Sequence, residues 1–153
     1  MKKRLRRLLR AFFPRGEKPD DAFALAFLQG EERLLYLSMD PRDRAHAVRV
    51  ARRLLRRYPD APLFAVRAAL LHDAGKAVRP YHPLERILTG LYALPVPPYP
   101  LRGGIWGAFQ VRRHHPLYAA ERIRDPEVRA LVLEHHRPQS LWGQRLHQAD
   151  QEE

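Results

Sequence analysis

The residues whose types and spacing could do chemistry are His46, the pair His72 and Asp73, His115, the pair His135 and His136, and Asp150. Each stands in line with an apolar stripe at helical spacing. His46 lies one turn before Val50 and two before Leu54. His72 and Asp73 close the apolar run 64–71, and His135 follows Val128, Leu131 and Val132. Asp150 follows Trp142, Leu146 and Ala149, while His115 precedes Tyr118, Ala119 and Ile123. Such spacing aims the polar groups inward with their stripes. A buried imidazole or carboxylate is costly without partners. A shared cation removes that cost: the imidazoles act as neutral ligands and the carboxylates offset the metal charge. The chain has no cysteine, which excludes disulfides, thiolate zinc sites and cysteine nucleophiles, so any metal has nitrogen and oxygen ligands. A single inward histidine is more often a hydrogen-bonded core residue, and His82 and His147 are read that way.

The elements that must position these groups read as helices. Residues 22–39 form one helix interrupted at Gly30, or two short ones. Asp40-Pro41 is a start signal, with Asp as N-cap and Pro at the first helical position, for a helix to about Tyr58. Asp60-Ala61-Pro62 opens another through Leu71, apolar nearly all round and therefore central. Gly75 is expected to stop it in the left-handed conformation. Further helices are expected at 84–93, at about 106–113 and 115–124 with His115 heading the second, at 126–137 after Asp125-Pro126, and at 140–150. A Pro- and Gly-rich loop over 95–104 either rims the site or merely connects. No alternating strand pattern and no repeat is present, so the fold class is all-α.

The length of 153 residues suits one domain with a real core. Residues 1–15 hold seven basic and no acidic residues, so the remaining 138, with 21 basic against 17 acidic, carry only +4 of the net +11. Leu5, Leu8, Leu9, Phe12 and Phe13 give residues 2–13 an amphipathic helical pattern. Three readings of it stand: docking on the domain, lying on an anionic membrane surface, or contacting nucleic acid or another acidic partner. The division is a basic segment 1–16 and a folded domain 17–153. No apolar stretch approaches the roughly 20 residues a membrane span needs, and the N-terminus lacks a secretory pattern. The expected location is cytoplasmic, or peripheral at the membrane.

Taken in order, His46, His72-Asp73 within Leu-Leu-His-Asp-Ala-Gly-Lys, His115-Pro116, His135-His136 and Ala149-Asp150 resemble the HD superfamily of metal-dependent phosphohydrolases over residues 42–150. The resemblance implies a compact multi-helix bundle with His46, His72, Asp73 and Asp150 as core metal ligands. It implies a second metal held by His115 and by His135, His136 or both, with Asp73 bridging. Implied with it are one or two divalent ions among Mn, Fe, Co, Ni and Zn, with Fe or Mn favoured by family, and hydrolysis of a nucleotide or related small phosphoester by a metal-bridging hydroxide. Lys76, three residues past the ligand pair, would aim its ammonium at phosphate or simply favour a helix C-terminus. Arg113 and His114 are candidates for phosphate contact or proton delivery. Arg137-Pro138-Gln139 after the paired histidines, with no Gly-Tyr-Pro triplet, sets the chain apart from the HD-GYP cyclic-dinucleotide phosphodiesterases, and it looks closer to short stand-alone bacterial HD proteins.

Three rivals remain in view. A non-catalytic HD module would sense a nucleotide or metal and signal through the basic segment. A nucleic-acid-binding protein is suggested by the calculated pI of 10.8, although the near-balanced body and the lack of interleaved aromatics weigh against it. An HD-fold oxygenase would use mixed-valence di-iron.

Overall fold

The computed structural model describes residues 17–152; the amphipathic pattern over 2–13 lies outside the described residues. Helix α1 (Asp21–Phe27) and helix α2 (Glu31–Leu37) are two short helices separated by Gly30, whose φ of 49° only glycine adopts readily. Helix α3 (Pro41–Arg57) starts where the Asp40 carboxylate accepts the Arg42 amide at 2.9 Å. Helix α4 (Leu63–Leu71) is buried from Ala65 to Leu71. Even Arg67 is inside, its guanidinium taking Glu32 of α2 and Asp125. A 3-10 segment (Ala74–Val78) follows, then helix α5 (Pro83–Leu91), helix α6 (Gly104–Ala120), helix α7 (Pro126–Glu134) and helix α8 (Leu141–Gln151). The Asp125 carboxylate caps α7 by accepting the Glu127 and Val128 amides, and Ser140 caps α8 through the Gly143 amide. Among the described residues there is no strand, so the chain is all-helical.

Helix α4 is the axis of the bundle. Helices α3, α7 and α8 pack around it, and the 3-10 segment that continues it lies along α6. Leu54, Leu70, Leu71, Ile123 and Leu146 are among the largest fully buried side chains. Fully burying one such aliphatic side chain contributes about 1.5–3 kcal/mol. The apolar stripes thus converge on one core, and the polar groups at their ends converge with them.

Three expectations are corrected here. Residues 106–113 and 115–124 are not two helices, because α6 runs unbroken through Pro116. An interior proline usually costs about 3 kcal/mol, since its missing N–H leaves the carbonyl four residues back without its donor. That carbonyl is Arg112 O, and the His115 Nδ1 takes it at 3.2 Å while also reaching Val111 O at 3.0 Å. His115 therefore sits inside a helix rather than heading one. Gly75 is not left-handed; the positive-φ glycines among the described residues are Gly30 and Gly104. A Cβ on Gly75 would stand 1.8 Å from the His115 carbonyl oxygen, so glycine is required for the close approach of the 3-10 segment to α6. Finally, His82 is no core residue but the exposed N-cap position of α5.

Candidate metal centre

Helices α3, α4, α6, α7 and α8 each deliver one or two polar side chains to a single cleft. The Asp73 carboxylate, at the junction of α4 and the 3-10 segment, lies at its centre. Its Oδ1 is 3.1 Å from His115 Nε2. Its Oδ2 is 3.7 Å from His72 Nε2, 3.8 Å from His46 Nε2 and 2.6 Å from Lys76 Nζ. Asp150 Oδ1 is 3.0 Å from His46 Nε2 and 3.7 Å from His72 Nε2. Two sets result, each with its donor atoms within 4.8 Å of one another: His46, His72 and Asp150, and His115, His135 and His136. Asp73 presents one oxygen to each set. The rings are in van der Waals succession, with His72 and His135 centroids 5.1 Å apart and His115 and His136 centroids 4.7 Å apart.

Ring orientation is fixed by each histidine's own helix. His72 Nδ1 lies 2.8 Å from Ala69 O and His135 Nδ1 lies 2.8 Å from Val132 O, as His115 Nδ1 lies against Val111 and Arg112. A carbonyl only accepts, so Nδ1 carries the proton, and as a metal ligand each ring is neutral with its Nε2 lone pair inward. Burial lowers the His72 pKa, but Asp73 and Asp150 outweigh burial and raise it. The Nε2 atoms of His72 and His115 are buried without a hydrogen-bond partner. His115 Nε2 faces a carboxylate oxygen, so two lone pairs oppose each other at 3.1 Å. A divalent cation between such atoms turns the repulsion into two coordination bonds. Two ligands each about 2.1 Å from one ion lie roughly 3.0–3.4 Å apart, near the shorter spacings seen here. The donor set fits a divalent metal.

Electrostatics follow the same division. Burial alone would raise the Asp73 carboxyl, but Lys76 and His72 outweigh it and hold it well below the ordinary range. Asp150 is likewise raised by burial and lowered further by His46 and His72, ending far below its usual value. Burial and the neighbouring His72 push His135 well down, and desolvation beside His115 lowers His136 to about 4. His115 is also lowered, chiefly by burial. These three rings are neutral at pH 7 and available as ligands.

A cavity of about 450 Å³ opens onto the cluster, with Lys76, Arg49, Arg112 and Gln151 completing its wall. Arg113 and His114 do not face it, which corrects their expected role in phosphate contact. Arg113 Nη1 donates to Leu94 O and His114 Nε2 lies 2.7 Å from Val96 O, on the outer side of α6. Gln110 and Tyr118 fasten the same stretch through Pro97, Pro100 and Pro98. The 95–104 loop is therefore a brace on the back of α6; among the described lining residues none comes from it. Sequence reading missed Arg49 and Arg112. Their signal was spacing, since each stands one turn from a histidine, His46 and His115. It also missed that His147 Nδ1 lies 2.8 Å from His135 O, bracing the end of α7 from α8. A third omission was Asp43, buried and paired bidentately with Arg86 at 2.8 Å, linking α3 to α5.

The sequence model described as the HD domain matches residues 45–151, a span that holds every cleft residue named above. No curated protein and no solved structure matches the chain.

Proposed function

From the premise that this chain belongs to the HD-domain family, we propose that it is a metal-dependent phosphohydrolase acting on a nucleotide or related small phosphoester. The observation that carries the reading is the pair of buried, partnerless Nε2 atoms of His72 and His115, each with Nδ1 tied to its own helix, converging on Asp73. His46, His72 and Asp150, with Asp73 Oδ2, would hold one ion. His115, His135 and His136, with Asp73 Oδ1, would hold the other. Nitrogen and oxygen donors of this kind suit manganese, iron, cobalt, nickel or zinc, and manganese or iron is the proposed resident metal. Bound there, divalent cations lower the pKa of a coordinated water toward neutrality and offset charge on phosphoryl oxygens.

The chain's own residues contribute orientation and charge. Asp73 keeps its two oxygens apart because Lys76 Nζ pins Oδ2 while Oδ1 stays toward His115. Burial lowers the Lys76 ammonium, but Asp73 and Asp43 outweigh it and raise it above its ordinary value, so it keeps its proton. Its ammonium is thus a fixed positive charge beside the cleft. Among the described residues no helix is long and apolar enough to cross a membrane. The proposed location is cytoplasmic or peripheral at the membrane, with residues 2–13 the candidate contact for an anionic surface.

Purification in metal-free buffer, elemental analysis and assay with p-nitrophenyl phosphate and bis-p-nitrophenyl phosphate in manganese test this. Retained divalent metal and ester cleavage, both abolished in His72→Ala and Asp73→Ala, are expected. Metal and nucleotide binding without turnover would assign the non-catalytic sensing module instead.

A further inference from the structure

The wall of the cleft narrows the substrate class. Three cations, Arg49, Lys76 and Arg112, stand against two carboxylates, Asp73 and Asp150, before any metal charge is added. Arg49 is one turn beyond His46 on α3, and Arg112 is one turn before His115 on α6. The two guanidinium groups therefore come from two different helices, each of which supplies one ligand set with a histidine, and both line the cavity. Among the described residues lining the cavity, none is aliphatic, and the aromatic ones are the histidines already assigned as ligands. Small-molecule pockets are ordinarily lined mostly by apolar and aromatic side chains with a few polar groups; this one has the opposite composition. It offers no apolar wall to a leaving group, and a fork of donors suited to phosphate oxygens.

Resting on the phosphohydrolase reading above, we infer that the site selects the terminal phosphate of a phosphomonoester, gripped between Arg49 and Arg112, with little regard for the group it is attached to. A monoester phosphate carries close to two negative charges at pH 7 and three non-bridging oxygens. A diester carries one charge and two such oxygens, and its second substituent would have to lie among arginines. Arg49 also pairs with Glu17 at the cleft edge. A dianion entering there competes with that exposed carboxylate as an acceptor for the guanidinium.

The test compares a dianion with a monoanion, by binding and by turnover. Manganese-loaded protein is titrated calorimetrically with inorganic phosphate and with dimethyl phosphate, and assayed on p-nitrophenyl phosphate against bis-p-nitrophenyl phosphate. Phosphate is expected to bind at least about tenfold more tightly, and the monoester to be turned over with a correspondingly higher kcat/KM, one charge-assisted contact being worth that factor or more. Arg49→Gln and Arg112→Gln should each shrink that ratio while leaving metal content unchanged. Adenosine, thymidine and glycerol monophosphates should differ less among themselves than any of them differs from the diester. Equal binding of the two anions, preference for the diester, or a ratio unmoved by either substitution overturns the inference and leaves the hydrolase reading standing. Selective phosphate binding that depends on both arginines, with no turnover of any ester, upholds the anion site and overturns the hydrolase.

Discussion

Replacing Gly75 with alanine tests the architecture most directly, because the perturbation is a single methyl group. That carbon would stand 1.8 Å from the His115 carbonyl oxygen, 2.7 Å from its carbonyl carbon and 2.9 Å from the Ala119 nitrogen. All three are backbone atoms of α6, so no side chain can swing away. Ordinary contact begins near 3.4 Å, and the 3-10 segment and α6 must separate by about 1.6 Å. Overpacking of this kind costs roughly 1–3 kcal/mol. The displacement separates the segment that follows Asp73 from the helix that carries His115, and Asp73 Oδ1 and His115 Nε2 are 3.1 Å apart. Opening that gap by half its length leaves the carboxylate unable to serve both ligand sets. Gly75→Ala should therefore fold with a lowered Tm and retain less divalent metal than the wild type, read by elemental analysis after gel filtration. Wild-type metal stoichiometry together with a wild-type Tm would refute the claim that close backbone approach sets the bridging geometry.

Pro116→Ala restores an amide that competes with the His115 ring for the Arg112 carbonyl; the helix should be no less stable, yet affinity at the His115 set should fall about 10- to 100-fold, the usual effect of losing a ligand's outer hydrogen bond, measured by competition with a chromogenic chelator. Asp43→Asn breaks a buried bidentate pair and should cost roughly 3 kcal/mol by urea denaturation. Burial raises the Asp43 carboxyl, but Arg86 and Lys76 outweigh it and hold it below 3.8. Its stabilisation is thus complete above the ordinary aspartate range and lost as pH falls through the lowered value. The Tm of the wild type should fall more steeply than that of the variant on the acid side, and parallel curves would remove Asp43 from the stability argument. Removing metal with a chelator should lower Tm by about 5–10 °C if the ion is held at a hundredfold its Kd, since its ligands tie residue 46 to residue 150 across five helices; a shift near zero in differential scanning calorimetry would show that the cleft holds no ion.

How much of this was legible beforehand differs by residue. Capping chemistry marked the starts of α3 and α7, where Asp40 and Asp125 accept the amides of their first turns. Apolar stripes pointed His46, His72, His135 and Asp150 inward, and the structure brings them together. Arg113 and His114 misled because neighbours in sequence on a helix diverge by about 100°, whereas Arg112, three residues from His115, shares its face. Pro116 read as a breaker because propensity knows only that a donor is missing. The imidazole that replaces that donor is a side-chain contact that no local rule supplies. Gly75 read as a helix stop for a similar reason: what lies opposite it, the backbone of α6 some forty residues later, is a tertiary fact.

Helices α4 and α7 both end at the cleft, with His72 and His135 as their C-cap residues. Each carboxyl terminus carries roughly half a negative elementary charge, so the floor attracts cations through the backbone as well as through its ligands. The guanidinium groups stand at the mouth. Polarity therefore reverses with depth, and the two kinds of guest have a loading order: a cation must settle first, because until it does the floor repels the anion that the rim invites.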